Sequence, residues 1–600
     1  MIVKLSHDAK ETLEQLSNPG TSDDTFAECF LKSERSLFTR FDAVIRQVDF
    51  FLTECIFFTF CRVDLSQASR NQSALALAEH GSSDAALLAS VASILRRGLG
   101  DRTKAIAILQ PGTPFRPISS TQSPGIPTIH IGLIYDPAHA FRLVDHGPSA
   151  EDQDSNAAQE FRHLWGDRAE LRRFKDGRIA ESVVWEVATS DERAHIPASI
   201  VQHLLQLHFG ISAEYVRTLQ TPFDSMLRLP DDVRRLHRAA GGYKAAVTAF
   251  DDIVRSLKAL DEQLPLALLN VSPISDYLRY TSTFAPLPVP ASTLMALPES
   301  LRFLPTIPII LEFEKSSKWP DDLKAIQKVK LAFFESIARS LMASNPGLKA
   351  SIAIGDSLNP IKGCATLEIF TPEGWAFSAS IWHDREATLL DRIMGSSKAL
   401  ARLSDQDHSA REQHEAKVAR ELYTRTFIHS PRHHRAIANL CHKYSAYSGT
   451  VRLVKRWLAA HWLLQSHVSE EAIEIICAKP FVGGKHVSME NAATVPHSKE
   501  RGFSLVIEFL GNWKWEEPLF IPLYEDDTPA PAPEIVAVSA KQGVWTLSTA
   551  EDRTGRMWTS HGPDLVAAHR LRALAKEAIK IIQNVEADSD IKVGRQTLMV

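Results

Sequence analysis

Basic residues concentrate in one short stretch of the chain, 161–186, which reads FRHLWGDRAELRRFKDGRIAESVVWE. Lys175-Asp176-Gly177 predicts a tight turn between strands at Arg172–Phe174 and Ile179–Trp185, because Asp can bond its own backbone and Gly accepts a positive φ. Such a hairpin would hold several cations close together for a polyanion's phosphates: Arg168, Arg172, Arg173, Lys175 and Arg178. The alternative is a solvated hairpin edge whose charges oppose aggregation between strands.

A second group of cations lies on the clearest predicted helix, Val451–Leu464, which reads VRLVKRWLAAHWLL. Helical periodicity puts the cations opposite Val454 and Leu458, where they could contact phosphate: Arg452, Lys455 and Arg456. An ordinary solvated helix face explains the same pattern.

Unpaired bases could stack on four tryptophans: Trp319, Trp382, Trp513 and Trp515. Tryptophan is, however, more often a core or interface residue.

The composition of the chain limits these interpretations. It has 600 residues and a formal net charge of −5, so nucleic acid would have to bind to local patches and not to the whole surface. The length predicts about three to five globular domains. Six cysteines without C-x-x-C spacing indicate reduced thiols in the cytosol or nucleus. The apolar run 50–61 is too short to span a bilayer, and no membrane partner is expected.

Regular elements have to hold the candidate residues in place, and the hydrophobic pattern predicts both helices and strands. Apolar and alternating runs predict strands at Thr103–Leu109, Thr128–Tyr135, Leu264–Leu269, Ile309–Phe313, Ala350–Ile354 and Thr366–Phe370, and a hairpin of Trp545–Leu547 with Met557–Thr559. Helical periodicity predicts a long helix that begins at Trp319-Pro320, a helical region over 405–480 and a last helix at Pro563–Gln583. The fold class is therefore α+β, in several domains.

Four stretches, in this order, resemble the nucleolar RNA-associated protein (Nrap) family. They are WGDRAELRRFKDGRIAESVVWE (165–186), LPLALLNVSPISDYLRYTS (264–282), LEFEKSSKWPDDLKAIQKVKLAFF (311–334) and VRLVKRWLAAHWLLQSHVSEEAIEIICA (451–478). The resemblance covers roughly residues 10 to 585. It implies tandem modules similar to poly(A) polymerase and CCA-adding enzymes, each with a nucleotidyltransferase-like domain and a helical domain.

The resemblance also implies how the chain divides. We expect a C-terminal remnant of a helical PAP/OAS1-like domain at 1–75, an α+β domain with the basic hairpin at 76–215, a degenerate nucleotidyltransferase-like domain at 236–400, a helical PAP/OAS1-like domain at 401–525 and a partial C-terminal α+β domain at 534–600. The family is longer than this chain, so we expect a fragment that lacks the first domains and the end of the last one.

The function that the resemblance implies is structural. Members of the family are expected in the nucleus and nucleolus, in the small-subunit processome, where they act in maturation of pre-18S ribosomal RNA. The implied partners are pre-18S rRNA, the U3 small nucleolar ribonucleoprotein particle, ribosomal RNA-processing protein 7 and casein kinase II. A scaffold that binds only proteins is the alternative, and it explains the acidic balance better.

Catalysis would need a Gly-Ser turn followed, about a dozen residues later, by an Asp-x-Asp or Asp-x-Glu strand that holds two metal ions. Here Ser316-Ser317 occupies the turn, Glu312-x-Glu314 precedes it, and the later strand offers Asp356 and then Leu358. The histidines and the cysteine within 429–442 lack the spacing of a zinc site. We therefore expect a non-enzymatic scaffold without metal or cofactor, and an active RNA nucleotidyltransferase is the less favoured alternative.

Overall fold

The structure is a computed structural model of the chain. It describes residues 43–47, 79–80, 83–109, 129–136, 138–149, 151, 155–187, 190–212, 216–218, 221–229, 241–290, 292, 295, 304–316, 319–354, 365–395, 409–482, 495–524, 543–588 and 598–599. The chain forms two compact units. The first unit joins residues 1–226 to residues 444–600, and the second comprises residues 227–443.

Strands occur in both units. Within the described residues they are β1 (Ala43–Gln47), β2 (Thr103–Leu109), β3 (His130–Tyr135), β4 (Val144–Ser149), β5 (Glu170–Arg173), β6 (Ile179–Val184), β7 (Val216–Thr218), β8 (Leu268–Pro273), β9 (Ile307–Phe313), β10 (Lys349–Ile354), β11 (Ala365–Phe370), β12 (Ala376–Trp382), β13 (Leu519–Phe520), β14 (Leu547–Ser548) and β15 (Leu598–Met599).

The α-helices of the same residues are α1 (Ser83–Leu99), α2 (Asn156–Trp165), α3 (Ser190–Arg193), α4 (Ile196–Phe209), α5 (Thr221–Leu227), α6 (Tyr243–Lys258), α7 (Leu323–Ser344), α8 (Asp384–Ile393), α9 (Ala410–Tyr423), α10 (Ser430–Lys443), α11 (Ser445–Ala460), α12 (Glu470–Val482), α13 (Lys499–Asn512) and α14 (Leu565–Asp588). A π-helical turn, Thr424–His429, joins α9 to α10. None of the described helices is long and apolar enough to cross a membrane.

A five-stranded sheet in the order β15-β2-β3-β1-β7 lies in the first unit. β2 and β3 run antiparallel, with Ile106 opposite Leu133, and both residues share one buried core with Leu95 of α1 and Leu204 of α4. β1 pairs with β3 and with β7, so its residues belong to the sheet of the following predicted domain. The expected boundary at residue 75 therefore cuts through this unit, because pairing between distant strands leaves no trace in local periodicity.

The last four helices also belong to the first unit. Arg572 of α14 donates to the carbonyl of Trp513, which follows α13, at 2.6 Å, and its guanidinium lies 3.3 Å from the ring centroid of Trp515. The domain expected at 534–600 is thus packed against the end of the domain expected at 401–525.

The predicted hairpin of Trp545–Leu547 with Met557–Thr559 is wrong, because β14 pairs with β13 in parallel and Met557–Thr559 is a turn.

The second unit contains a sheet in the order β10-β11-β12-β9-β8, in which β9 and β12 run parallel and the other pairs are antiparallel. α7 begins after Asp322, whose carboxylate accepts a hydrogen bond from the N–H of Ala325 at 2.8 Å. Its buried face, including Phe334 and Ile337, packs against the sheet. α9 and α10 lie in this unit and α11 to α13 in the other, so the expected 401–525 range extends over both.

Candidate nucleic-acid interface

The basic hairpin has the turn that its sequence predicts. Gly177 N–H donates to the carbonyl of Phe174 at 2.9 Å, and Phe174 N–H donates to the carbonyl of Arg178 at 2.8 Å. Gly177 has a φ of 85°, in the left-handed region that favours glycine. The turn joins β5 to β6, which confirms the predicted strand–turn–strand order.

The hairpin belongs to a three-stranded sheet in the order β4-β6-β5, so β5 is an edge strand. All four residues of β5 are exposed to solvent. The predicted cations Arg168, Arg172, Arg173, Lys175 and Arg178 are likewise exposed. The structure therefore places Arg172, Arg173, Lys175 and Arg178 on one solvated hairpin, and Arg168 on the helical turn that precedes β5.

Local carboxylates compensate two of these charges. Arg172 lies 2.8 Å from Glu170, and Arg178 lies 2.6 Å from Asp176. The hydrogen bond from the Arg178 guanidinium holds the pKa of Asp176 below its usual range, so this carboxylate stays ionised beside the arginine. The field that reaches a phosphate from these two arginines is correspondingly reduced.

The remaining three cations of the predicted group differ in their surroundings. The guanidinium carbon of Arg168 lies 4.7 Å from the ring centroid of Trp185, which orients this side chain along an aromatic face. Arg173 and Lys175 form no ion pair with another residue in the part of the chain that the structure describes. These two residues, here called the hairpin tip, are the strongest phosphate-contact candidates of the group.

The second predicted group of cations does not lie on a solvated face. Lys455 is completely buried in α11, and its ammonium lies 2.8 Å from both Glu470 and Glu474 of α12. Arg452 is 3% exposed, and only Arg456 of the three is exposed. The prediction that Arg452 and Lys455 contact phosphate is therefore wrong, because α11 is covered by neighbouring helices on the side where a solvated face was expected.

The Lys455 ammonium also controls its partner's charge. Burial favours the neutral form of Glu470, but attraction and hydrogen bonding from Lys455 outweigh it and lower the pKa of Glu470. The cluster therefore pairs a buried cation with carboxylates from a neighbouring helix. It is a contact between α11 and α12 and offers no positive charge to RNA.

Most of the tryptophans suggested as stacking platforms are interior. Trp319 is 3% exposed, Trp513 is 7% exposed and Trp515 is 6% exposed. Trp462, which the sequence argument did not select, is 83% exposed and has a φ of 59°, which is rare for a residue other than glycine. The predicted helix extended to Leu464 and therefore included Trp462. In the structure α11 ends at Ala460, so the ring lies just beyond the end of the helix.

The region that resembles a nucleotidyltransferase centre lies at the end of β9. Glu312 and Glu314 alternate with the buried Phe313, and Glu312 is in register with Trp382 of the parallel strand β12. Asp356 and Ser317 lie outside the described residues. Within the described ranges, no group of three or more His, Cys, Asp or Glu side chains is placed to hold a metal ion, and this includes the His-rich stretch 429–442.

Curated relatives match most of the chain. U3 small nucleolar RNA-associated protein 22 of Schizosaccharomyces pombe is 30% identical, over 81% of this chain and 42% of that protein. Its namesake in Saccharomyces cerevisiae is 28% identical over 82% of this chain and 41% of that protein. Nucleolar protein 6 of Homo sapiens is 29% identical over 83% of this chain and 42% of that protein. The chain thus spans about two fifths of the length of these relatives.

Solved structures align with the chain at low similarity. Terminal uridylyl transferase 4 from Trypanosoma brucei, with bound UTP and UMP, is 8% identical with a TM-score of 0.28, over 56% of this chain and 92% of that one. A mutant of mtPAP in complex with ATPγS is 12% identical with a TM-score of 0.29, over 88% of this chain and 94% of that one.

Three models of one protein family match consecutive parts of the chain. Nrap protein domain 3 matches residues 38–210, Nrap protein nucleotidyltransferase domain 4 matches residues 222–442, and Nrap protein PAP/OAS1-like domain 5 matches residues 444–600. The mixed α and β architecture therefore includes a nucleotidyltransferase domain and a PAP/OAS1-like domain. Since three successive domains occur here in the family's order, the chain belongs to the Nrap family.

Proposed function

We propose that this chain is a non-catalytic structural part of the small-subunit processome, needed for maturation of pre-18S rRNA and located in the nucleolus. The observation that carries the proposal is the ordered match to domains 3, 4 and 5 of the family, together with relatives named for U3 small nucleolar RNA and for the nucleolus. Pre-rRNA and the U3 particle are the proposed partners. Ribosomal RNA-processing protein 7 and casein kinase II follow from the family resemblance alone.

The absence of catalysis is part of the proposal. Two-metal chemistry needs clustered carboxylates, whereas the strand beside Glu312 presents Trp382 in register. We expect no metal-dependent addition of nucleotides to an RNA end when the chain is incubated with labelled nucleoside triphosphates and Mg²⁺ or Mn²⁺. Incorporation that is lost on Asp356→Ala or Glu312→Gln would show that the nucleotidyltransferase domain is active.

A scaffold that contacts only proteins is the second candidate. It is favoured by the burial of Arg452 and Lys455 and by the carboxylates that compensate Arg172 and Arg178. Under this alternative the hairpin tip is simply a solvated edge, and the chain should show no salt-sensitive affinity for RNA.

Ultraviolet crosslinking of the tagged chain in its own cells, followed by sequencing of the attached RNA, separates the two candidates. Reads concentrated in the pre-18S region support a scaffold that touches RNA. Recovery of processome proteins without enriched RNA supports the protein-only scaffold. If neither RNA nor processome proteins are recovered, the assignment to the processome is wrong for this chain.

A further inference from the structure

The free edge of β5 has an orientation that the turn fixes. Phe174 and Arg178 form a hydrogen-bonded pair, and the register continues from there with Arg173 opposite Ile179, Arg172 opposite Ala180 and Leu171 opposite Glu181. Hydrogen-bonded and non-hydrogen-bonded pairs alternate along antiparallel strands. The backbone N–H and C=O groups of Leu171 and Arg173 therefore point away from β6, towards the open edge.

No strand covers this edge within the described ranges, where β5 pairs with β6 alone. An exposed row of unpaired backbone groups is a template for another strand. Two apolar side chains lie beside it on one face of the sheet, since Leu171 is 48% exposed and Ile179 is 47% exposed. Arg173, opposite Ile179, shares that face.

We propose that the free edge of β5 binds an extended acidic segment of a protein partner, which adds to the sheet β4-β6-β5 as a fourth strand. Main-chain hydrogen bonds to Leu171 and Arg173 would supply the affinity, and side chains on alternate positions would supply the specificity. The partner's residue beside Arg173 is acidic, and the residue beside Leu171 is apolar. The free edge of β5 offers these groups to a partner whether or not the chain enters the processome.

Charge decides between the kinds of strand that could bind. Arg173 and Lys175 form no ion pair within the described residues, whereas Glu170 and Asp176 compensate Arg172 and Arg178, so the region beside the edge has an excess of positive charge. A second copy of β5 would bring the same excess with it, which is unfavourable between neighbouring strands. A basic segment is disfavoured for the same reason. An acidic strand gains from the same cations, and RNA would use these side chains but not the backbone groups of the edge.

The test uses the full chain and a short synthetic peptide with the repeat Val-Thr-Glu-Thr, which places valine and glutamate two residues apart on one face. A peptide in which lysine replaces each glutamate serves for comparison. Binding is followed by fluorescence anisotropy of the labelled peptide. We expect the glutamate peptide to bind and the lysine peptide not to bind. Equal binding of the two peptides, or of neither, would overturn the proposal.

Leu171→Pro removes one outward N–H and leaves the bonds between β5 and β6, since the N–H of Leu171 does not point to β6. We expect it to weaken binding of the glutamate peptide by about tenfold or more, because the ring also obstructs the added strand. Leu171→Ala keeps the N–H and should cost much less. Equal effects of the two variants would show that the side chain, and not the edge, makes the contact.

Methylation of the peptide's own backbone nitrogens tests the edge without changing the protein. Two versions, N-methylated on alternate sets of residues, differ only in which set can face β5. One version should lose binding and the other should keep it. Three outcomes would contradict the proposal. The two methylated peptides could bind equally, the chain could form dimers that Leu171→Pro abolishes, or the chain could bind single-stranded RNA but not the peptide.

Discussion

At the residue scale, the hairpin tip can be separated from its neighbours. RNA affinity falls linearly with salt concentration when both are plotted as logarithms. Replacing Arg173 and Lys175 with Ala should make this slope shallower by about 0.7 for each phosphate of a single strand that is no longer neutralised. Arg172→Ala should have a smaller effect, because its guanidinium is already engaged by Glu170. The measurement is the dissociation constant at several salt concentrations.

Two exposed cations of the other unit, Lys324 and Lys349, likewise form no ion pair within the described residues and provide the matched control for the salt experiment. Their replacement by Ala changes the net charge by the same amount. If the slope becomes equally shallow in the hairpin-tip variant and in the control variant, overall charge governs binding and the hairpin tip does not.

Trp462 gives a second prediction at the residue scale. Its ring is 83% exposed and its backbone is left-handed, just past the end of α11, where glycine is usually found. Trp462→Gly should therefore stabilise the chain by about 1 kcal/mol, since little buried surface is lost and the backbone strain disappears. The midpoint of urea unfolding is the measurement, and Trp462→Ala, which keeps the strain, is the control. A lower midpoint for Trp462→Gly than for Trp462→Ala would contradict the argument.

Single residues were predictable from sequence where the cause is local. Asp176-Gly177 forms the expected turn because a left-handed glycine and its neighbours suffice to specify it. Lys455 was not predictable, since its position on α11 is compatible with an exposed charge until α12 brings Glu470 and Glu474 against it. The side of a helix that is covered depends on residues far away in the chain.

At the element scale, the Lys455 cluster holds α11 against α12. Lys455→Ala would remove the buried cation that lies 2.8 Å from the completely buried Glu474, and removing one partner of a buried pair typically costs about 3–5 kcal/mol. Lys455→Met combined with Glu474→Leu and Glu470→Gln should recover much of this stability, because no carboxylate is then left beside the apolar pair. Urea unfolding of the three proteins measures the effect. A destabilisation by Lys455→Ala as small as that of an exposed lysine would contradict it.

Elements with a strong hydrophobic pattern were predictable, and those without one were not. The predicted strand Ile309–Phe313 lies inside β9, and Ala350–Ile354 lies inside β10. β12 escaped prediction, since its sequence, AFSASIW, places small polar residues between the buried ones. β12 is buried because β9 and β11 flank it in the sheet, and the sequence of β12 alone does not indicate these neighbours.

At the scale of the whole molecule, the first unit joins parts that are distant in sequence. Asp224 accepts from His195 at 3.0 Å and also pairs with Lys499, so it connects the parts matched by family domains 3 and 5. The carboxylate is partly buried, which opposes its charge, but His195 and Lys499 outweigh this and lower the pKa of Asp224 to about 2. Burial raises the pKa of the adjacent Glu500.

A depressed pKa in the folded state gives this pair a defined pH dependence. The stability from Asp224 is fully present above the unfolded pKa of about 4 and is lost as pH falls towards the folded value. Asp224→Asn should therefore lower stability at neutral pH and flatten the decline between pH about 4 and 2, as measured by unfolding at each pH. Asp321→Asn, at an exposed pair with Arg392, is the control. An unchanged acid profile for Asp224→Asn would contradict the assignment.

The discontinuity of the first unit has a consequence for synthesis on the ribosome. The chain leaves this unit at residue 226 and returns at residue 444, so α4 and the strands around it emerge long before α11 to α13. At about 5–20 residues per second, the intervening segment takes on the order of tens of seconds to make. During that interval Asp224 has no Lys499, and the early half of the unit must persist or be protected until its second half arrives. Slowing translation within 227–443 should therefore expose the nascent chain to proteolysis more than slowing it after residue 512.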